Sequence, residues 1–474
     1  MQSLGSLVLC LLILNVARSF GAEAPATLPD EQQSWVQKAT RSENQGWIFL
    51  HIEGTPRERG FQHGYLLPRE FAEALRVRQE IWHYETAMNW PWLIQRVKTF
   101  MSPKVDKENR EEMEGLVEGL KAAGVATTLD EVVAYNGFLE LLWYWWEGEK
   151  KKLGSDTGAK APPEACSSFI ATGSMTSDGQ IVLGHNTMFD YPTADYNVVL
   201  DIVPARGHRI LMQTGPGLIH SGTDFFITDA GLVGSETTIG DFDGFEEKGI
   251  PEFVRVRRAM QDAASIDEWC AIMKQGNNGG YANAWLLGDV NTGEIARLEL
   301  GLKHTALERT KDGYFIGSNV AEDLKILRFE TSRKETDIRL SSVARRVRWK
   351  NLMKEFAGKV TLERAKYFEA DHFDSYLNKD NPGGRSLCGH FELDPQSSGK
   401  GTPFEPSGTF DGKVVNTQMA KEMSFLARWG SACGRSFDAE RFLAQHPQFD
   451  WMESILKSRD SYRWTQFKAK RVKE

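Results

Sequence analysis

The chain has little cysteine: five residues in 474, one of which, Cys10, lies in an apolar N-terminal run. The other four are too few to form the disulfide scaffold of a small secreted domain, and none shows metal-ligand spacing. They are Cys166, Cys270, Cys388 and Cys433. The sequence therefore predicts neither a metal site nor a cofactor. Cys270 is expected in the hydrophobic core, and a Cys388–Cys433 bridge stays open for an oxidising compartment.

Two further absences narrow the class of protein. No basic cluster is longer than the three lysines within 149–152, and the net charge is -8, so the chain carries no electrostatic footprint for nucleic acid. It also lacks any Asn-x-Ser/Thr acceptor, although a lysosomal or secreted eukaryotic glycoprotein of this size would usually carry several. This favours a bacterial periplasmic or secreted protein over a lysosomal one.

Residues 1–24 contain an apolar run that turns polar too soon to span a bilayer, which predicts a secretory signal cleaved near Ala22 or Ala24. No other stretch of the chain is apolar enough to cross a membrane. Cys10 follows Leu9 rather than a small residue, so it is interpreted as part of the signal and not as a lipid attachment site.

Hydrophobic periodicity divides the rest of the chain into three parts. Residues 25–147 are predicted to form a mainly helical segment, 148–165 an exposed linker that suits cleavage, and 166–474 a region of strands and helices. The predicted strands are 168–172, 180–184, 197–203, 210–213, 225–228, 232–236, 284–288 and 295–300, and the predicted helices are 250–264, 266–274 and 338–355. Runs of strands followed by amphipathic helices indicate an α+β sandwich.

Cys166 lies at the boundary between this linker and the first strand. If the chain is cut just before it, Cys166 gains a free α-amine, which titrates at about 7.7–8.0 and can take the thiol proton near neutral pH. That is the chemistry of an N-terminal-nucleophile hydrolase. A cysteine at the start of a strand is also commonly a small buried hydrophobe, so its function depends on the neighbouring linker and hairpin.

The hairpin that follows Cys166 allows two registers. A two-residue turn at Asp178-Gly179 would place His185 opposite Thr172, about 20 Å along the strand from Cys166 at roughly 3.3 Å per residue. A wider loop over 174–179 would place His185 opposite Ser168, within reach of the cysteine. The sequence leaves both registers open.

Several segments carry a family resemblance. Residues 166–173 (Cys-Ser-Ser-Phe-Ile-Ala-Thr-Gly) and 182–186 (Val-Leu-Gly-His-Asn) resemble the nucleophile hairpin of cysteine N-terminal-nucleophile hydrolases. Residues 232–240 and 283–289 are similar to segments of the phospholipase B-like proteins within that group. Gly60-Phe-Gln-His-Gly64 resembles the Gly-x-Gln-x-Gly signature of the related acyl-coenzyme A:isopenicillin N acyltransferases. Asp371-His372 together with 386–390 (Ser-Leu-Cys-Gly-His) resembles other segments of that group.

The resemblance implies a four-layer αββα fold, self-cleavage before Cys166 and hydrolysis of an acyl ester or amide. By matched position, Cys166 is the nucleophile and Asn283 a donor to the oxyanion, a contribution typically worth a few kcal/mol. His185 stands where phospholipase B-like members have histidine. Met188 stands where the bile-salt-hydrolase branch has a catalytic aspartate, which weakens the bile-salt interpretation.

The resemblance also nominates residues around the nucleophile. Ser342-x-x-Arg345-x-x-Arg348 matches a helix pattern of the wider group, making Arg345 a candidate charge partner that would raise the thiolate fraction. Glu236, Thr237 and Thr238 either line a substrate pocket or pair across strands. Residues 143–146 (Trp-Tyr-Trp-Trp) either touch an acyl chain or lipid surface or pack inside, packing being favoured.

We therefore expect a secreted, self-processing hydrolase of the phospholipase B-like kind that forms a thioester on Cys166. The expected substrate is an acyl-lipid or an N-acyl small molecule, and processing yields two chains from one precursor. An N-acyl amide hydrolase or acyltransferase on the same fold is the first alternative, and a secreted binding protein without catalysis is the second. A papain-like protease is disfavoured because its Cys-Gly-Ser-Cys-Trp surroundings are absent.

Overall fold

The computed structural model of the protein describes residues 28–154, 166–332, 334–396 and 402–470, which form two stacked β-sheets covered by helices. The predicted signal segment 1–24 and the linker residues 155–165 lie outside the described residues. None of the described helices is long and apolar enough to cross a membrane.

The strands, numbered along the chain, follow the alternating or fully apolar patterns of the sequence. They are β1 (Thr40–Asn44), β2 (Trp47–Gly54), β3 (Ser167–Gly173), β4 (Gly179–Asn186), β5 (Met188–Asp190), β6 (Val198–Pro204), β7 (Ile210–Thr214), β8 (Phe225–Thr228), β9 (Leu232–Thr238), β10 (Asn283–Asp289), β11 (Glu294–Leu300), β12 (Thr305–Thr310), β13 (Gly313–Gly317), β14 (Phe373–Asp374), β15 (Lys379–Asp380), β16 (Ser407–Thr409), β17 (Asp411–Asn416), β18 (Ser424–Trp429) and β19 (Thr465–Lys468).

The helices are numbered in the same way. They are α1 (Asp30–Lys38), α2 (Pro56–Leu66), α3 (Pro68–Thr86), α4 (Trp90–Phe100), α5 (Lys107–Ala122), α6 (Leu129–Asn136), α7 (Phe138–Glu140), α8 (Trp146–Lys152), α9 (Glu252–Asp262), α10 (Ile266–Lys274), α11 (Leu324–Phe329), α12 (Ser341–Glu355), α13 (Leu362–Glu369), α14 (Thr417–Lys421) and α15 (Ala439–Gln445). A π-helical turn, Leu141–Trp145, joins α7 to α8.

Two sheets form the centre of the molecule. The larger, sheet A, has nine strands in the order β1-β2-β6-β7-β8-β9-β10-β11-β12, and the smaller, sheet B, has six in the order β13-β3-β4-β17-β18-β19. Neighbouring strands are antiparallel except β2 and β6, which are parallel. Each strand predicted from the sequence matches an observed strand whose ends lie within a few residues of the predicted ends.

Helices cover the outer face of each sheet. Trp269 of α10 packs on Phe226 and Trp285 of sheet A, with ring centroids 5.9 and 4.8 Å apart. On sheet B, Phe169 packs on Trp349 of α12 at 5.2 Å. Apolar residues such as Ile170 of β3 and Leu286 of β10 fill the space between the sheets. The expected α+β fold with αββα layers is confirmed.

The N-terminal part contains more than the predicted helices. Strands β1 and β2 belong to sheet A, so the predicted helical segment 25–147 omitted two strands. The helical segment also ends at Lys152 in α8, beyond the predicted start of the linker at residue 148. Both differences arise where the local pattern is short or charged, so that tertiary contacts decide the structure.

Helices α2 and α5 pack backbone to backbone. A methyl group at Gly60 or Gly64 of α2 would overlap a main-chain carbonyl of α5, and one at Gly115 or Gly119 of α5 would overlap a main-chain carbonyl of α2. The Gly-x-Gln-x-Gly signature therefore has a packing role: its two glycines let these helices approach, and Gln62 between them bonds the main chain of Glu53 in β2.

Candidate active site

Cys166 is buried immediately before β3, with an exposed fraction of 2%. Its φ of 74° lies in the left-handed region, which costs a residue with a Cβ roughly 1–2 kcal/mol. Such local strain persists only where the surrounding structure holds the residue, and it concentrates at functional positions. The nucleophile candidate therefore directly precedes a buried strand and has a strained backbone conformation.

The thiol of Cys166 lies in an environment that keeps it protonated in the uncut chain. Burial raises its pKa to about 12, and the nearby carboxylate of Asp224 adds to the rise. The ammonium group of Lys413 and the main-chain N–H of Met188, which donates to the sulfur, act in the opposite direction. A base close to the sulfur is therefore needed before it can attack at neutral pH.

Arg345 contacts the main chain of Cys166. Its Nη1 donates to the carbonyl oxygen of Cys166 at 2.7 Å, and its Nη2 donates to Oδ1 of Asn319 at 2.7 Å. Asn319 in turn donates from Nδ2 to the carbonyl of Thr238 at 2.7 Å. The predicted residue Arg345 thus lies beside the nucleophile, and Asn319, which the sequence did not single out, links it to sheet A.

His185 pairs directly with Ser168, the register that the wider loop produces. Its Nε2–H donates to the main-chain carbonyl of Glu236 at 2.9 Å, and its Nδ1 has no hydrogen-bond partner among the described residues. Burial, reinforced by Lys413, holds the pKa of His185 well below its usual value. The imidazole is therefore neutral and connects sheet B to sheet A.

Asn283 starts β10 opposite Thr238 and is fully buried. Its Nδ2 donates to Oε1 of Glu252 at 3.4 Å, whereas its Oδ1 has no partner among the described residues. Burial, together with the charge of Asp224, raises the pKa of Glu252 well above its usual value. The amide retains one N–H that can point to a ligand.

The three predicted pocket residues of β9 lie on two faces of the strand. Thr237 contacts the position where a Cβ of Gly317 in sheet B would stand, so it points between the sheets. Glu236 and Thr238 alternate with it and point the other way. Burial and the charge of Asp224 raise the pKa of Glu236 well above its usual value, with a further contribution from Cys166. Glu236 is thereby linked to the nucleophile through its charge, whereas Thr238 is linked to it through the hydrogen bonds of Asn319 and Arg345.

Asp224 is the functional candidate that sequence reasoning missed. Its φ is 57°, its Oδ2 accepts a hydrogen bond from the hydroxyl of Tyr281 at 3.1 Å, and burial raises its pKa to about 6. A carboxylate that titrates near neutral pH beside a thiol is suited to accept a proton. The segment around it carries no spacing pattern that would have identified it.

A buried ion pair acts on both the Cys166 thiol and Asp224. Nζ of Lys413 is 2.7 Å from Oδ1 of Asp411 and donates to the hydroxyl of Thr187 at 2.6 Å. Asp411 also accepts from the main-chain N–H of Thr187 and from Nε2 of Gln213. Asp411 and Lys413 are two residues apart on β17 and so share one face of the strand. Two charges on one face of a buried strand are the signal that could have identified them.

A small cavity of about 30 Å³, with room for about one or two water molecules, adjoins Asp224. Asp224, Glu252 and Tyr281 contribute polar groups to its wall, and Phe138 and Phe253 are among its apolar lining residues. The pKa of Tyr281 is raised by burial and also by the charges of Asp224, Glu236 and Cys166, although Cys166 itself is not among the residues that line the cavity. The cavity is the candidate place for the reacting group of a substrate, and at this size it does not hold an acyl chain.

The aromatic segment 143–146 packs inside the protein. Trp145 stacks on Phe100 at 5.2 Å, and Trp146 meets Trp82 edge-on at 5.6 Å. Both indoles are buried, so they are not exposed to a lipid surface. Contact of the protein with a lipid surface stays a prediction, and this aromatic segment does not provide the surface for it.

Comparisons with known proteins point to one family. The Phospholipase B family model matches residues 101–302. An uncharacterised protein of Archaeoglobus fulgidus is 26% identical over 302 residues, which cover 60% of this chain and 47% of that protein. Putative phospholipase B-like 2 of Homo sapiens is 29% identical over 148 residues, covering 26% of this chain and 24% of that protein. The predicted resemblance is confirmed.

The chain matches about half or less of the length of these curated relatives. A solved structure of a mutant conjugated bile acid hydrolase from Clostridium perfringens is also similar, with 10% identity, a TM-score of 0.32 and coverage of 55% of this chain and 88% of that one. So loose a superposition carries no conclusion about the site.

Proposed function

The chain is related to the phospholipase B-like proteins, and from that relationship we propose that it is a hydrolase in which Cys166 removes acyl groups from phospholipid esters. The observation that carries this proposal is the setting of Cys166, whose strained backbone, bound carbonyl and buried thiol meet beside Asp224. The family relationship supports hydrolysis, and this setting supports cysteine as the nucleophile.

The first step in this proposal is cleavage of the precursor before Cys166. Asp224 accepts the thiol proton, and the sulfur attacks the carbonyl carbon of Ala165, forming a C–S bond. The C–N bond of the peptide then breaks, and the departing nitrogen takes up the proton. Water cleaves the resulting thioester, which leaves a carboxylate on Ala165 and an α-amine on Cys166. Release of the unfavourable φ of Cys166 favours this scission.

In the mature enzyme the new α-amine replaces Asp224 as the base. The thiolate attacks the acyl carbonyl, the alcohol leaves with the proton, and water hydrolyses the thioester to the free acid. The main-chain N–H of Met188 stabilises the thiolate, and the remaining N–H of Asn283 is assigned to the oxyanion. The residues that line the small cavity beside Asp224 would contact the reacting end of the acyl group.

N-terminal sequencing and intact mass of the purified protein test the self-cleavage step. We expect two fragments, the larger beginning at Cys166, and a single chain from Cys166→Ala. Cys270→Ala is the matched control, since Cys270 is buried in α10 and has no part in the mechanism. Two fragments from Cys166→Ala would assign the cut to an outside protease, whereas one unlabelled wild-type chain would favour a binding protein without catalysis.

Turnover separates the ester substrate from the amide alternative. The mature protein is given a phosphatidylcholine and an N-acyl amino acid of the same chain length, and released fatty acid is measured. We expect release from the phospholipid, abolished in Cys166→Ala and retained in Cys270→Ala. Release from the amide alone would replace the lipase assignment by an N-acyl amide hydrolase on the same fold.

A further inference from the structure

Four potential metal ligands come together at a place separate from the candidate active site. They are His372, Cys388, His390 and Cys433, and one ligand atom from each lies within 4.8 Å of the others. Nε2 of His390 is 3.6 Å from Sγ of Cys388 and 3.4 Å from Sγ of Cys433. The sequence predicted no metal site, because spacings of 16, 2 and 43 residues match no metal-binding motif.

Hydrogen bonds around His390 fix its orientation. Its Nδ1 lies 2.9 Å from Oε1 of Glu392, and the other oxygen of that carboxylate accepts from the hydroxyl of Tyr191 at 3.0 Å. Because Nδ1 donates to the carboxylate, Nε2 presents its lone pair to the two sulfurs. A carboxylate behind the distal nitrogen is the arrangement that orients metal-binding histidines.

The second histidine and the sulfurs have room for an ion. Nε2 of His372 is buried without a hydrogen-bond partner among the described residues, which is costly for a polar nitrogen. In tetrahedral zinc sites, bond lengths of about 2.0–2.3 Å put donor atoms roughly 3.3–3.8 Å apart. The two separations from His390 already fall in this range, and a separation of 4.8 Å would shorten by about 1 Å on binding.

We propose that His372, Cys388, His390 and Cys433 bind one Zn²⁺ as a closed structural site. Two thiolates and two imidazoles form the tetrahedral S₂N₂ set that selects zinc among the common divalent ions. The binding step is balanced without an oxidant, because the ion takes the place of the two thiol protons, which are released to solvent. With four protein ligands, the ion keeps no position for a substrate.

The ion would join three segments that are distant along the chain. His372 follows α13, Cys388 and His390 precede the 3₁₀ turn Phe391–Leu393, and Cys433 follows β18. Gly389, between two of the ligands, packs against the sulfur of Met188, whose N–H donates to the Cys166 thiol. Zinc would thus hold in place the loop that supports Met188.

Metal analysis of the full-length protein, purified without chelator or histidine tag, tests the proposal. We expect about one zinc per chain by inductively coupled plasma mass spectrometry, retained in Cys270→Ser and lost in Cys388→Ser and Cys433→Ser. Cobalt substituted for zinc should give the intense visible d–d absorption and thiolate charge-transfer band of a tetrahedral S₂N₂ site. Chelator should lower the Tm of the wild type and of Cys270→Ser, and added zinc should restore it.

Two results would overturn the assignment. One is a wild-type protein that holds no zinc and shows a Cys388–Cys433 disulfide by non-reducing peptide mass spectrometry. The other is zinc that stays at one per chain in both serine variants. If the serine variants fail to fold, the cobalt spectrum and the chelator-dependent Tm of the wild type decide, since free thiols or a disulfide would give neither.

Discussion

Arg345 contacts Cys166 through the main chain: Nη1 lies 2.7 Å from the carbonyl oxygen of Cys166, on the far side of the residue from the bond to be cut. The guanidinium also donates hydrogen bonds to Ser341 and Asn319, and these bonds fix the orientation of its plane. The sequence suggested a charge partner for the thiol. The charge-partner role stays a prediction, and from the main-chain contact we propose that Arg345 also positions the strained backbone of Cys166.

Arg345→Lys should slow self-cleavage by about 10²-fold, because an ammonium group cannot reproduce the planar fork and a shift of about 1 Å at a reacting group costs this much. The rate is followed by gel densitometry of freshly refolded precursor. Arg339→Lys, at a largely exposed arginine, should cleave at the wild-type rate. The Tm of each variant is measured as well, and unchanged cleavage in Arg345→Lys would contradict the positioning role.

Gly60→Ala should destabilise the protein by about 3 kcal/mol or more, because the added methyl group meets the carbonyl oxygen of Glu112 and forces α2 and α5 apart. Gly115→Ala should act in the same way from the other helix. The matched control is Gly148→Ala in α8, where a Cβ meets nothing within 4 Å and helix propensity favours alanine by about 1 kcal/mol. Urea titration measures all three, and a neutral Gly60→Ala would refute this packing.

Acid should destabilise the fold through His63. Its Nε2 accepts a hydrogen bond from Gly217 N–H at 2.9 Å, and burial lowers its pKa to about 4. The unfolded chain binds this proton first, so stability is unaffected above about pH 6.5. It should fall by roughly 3 kcal/mol as the pH drops towards about 4. His63→Gln should flatten this slope in urea titrations, whereas His83→Gln, at an exposed position, should leave it unchanged.

The register around the nucleophile shows what sequence could predict. Side-chain alternation along the strands predicted that His185 lies on the same face of the sheet as Cys166 and Ser168. The sequence left two loop lengths open, and the structure has the wider loop, which pairs His185 with Ser168. Periodicity likewise placed α10 over Ile266–Lys274, since its cap Ser265 and its apolar face are local features. Helix periodicity and the alternation of side chains along a strand depend only on the local sequence, so they can be predicted without knowledge of the fold.

The remainder of the site depends on contacts between distant segments. Asp224 and Tyr281 are in contact although they are 57 residues apart in the sequence, and so are His390 and Cys433, which are 43 residues apart. Neither pair lies on one strand or helix, so no periodicity links its members. Residues such as Asp224 become recognisable only when the fold buries them beside a thiol, because burial gives them their unusual titration.

Asp224→Asn separates two roles of the carboxylate that have opposite consequences. As a negative charge beside the sulfur it raises the pKa of the Cys166 thiol, so its removal should shift iodoacetamide labelling of Cys166 to lower pH. As the base for self-cleavage it must be ionised, so the wild-type rate should rise as pH passes about 6, where Asp224 titrates together with Glu236. Asp224→Asn should lose that rise and cleave about 10²-fold more slowly. Asp229→Asn, at an exposed turn, should change neither the labelling of Cys166 nor the rate of self-cleavage.

Faster labelling accompanied by faster cleavage would mean that Asp224 acts on the thiol only through its charge. The proton would then have to go to another group, such as Nδ1 of His185.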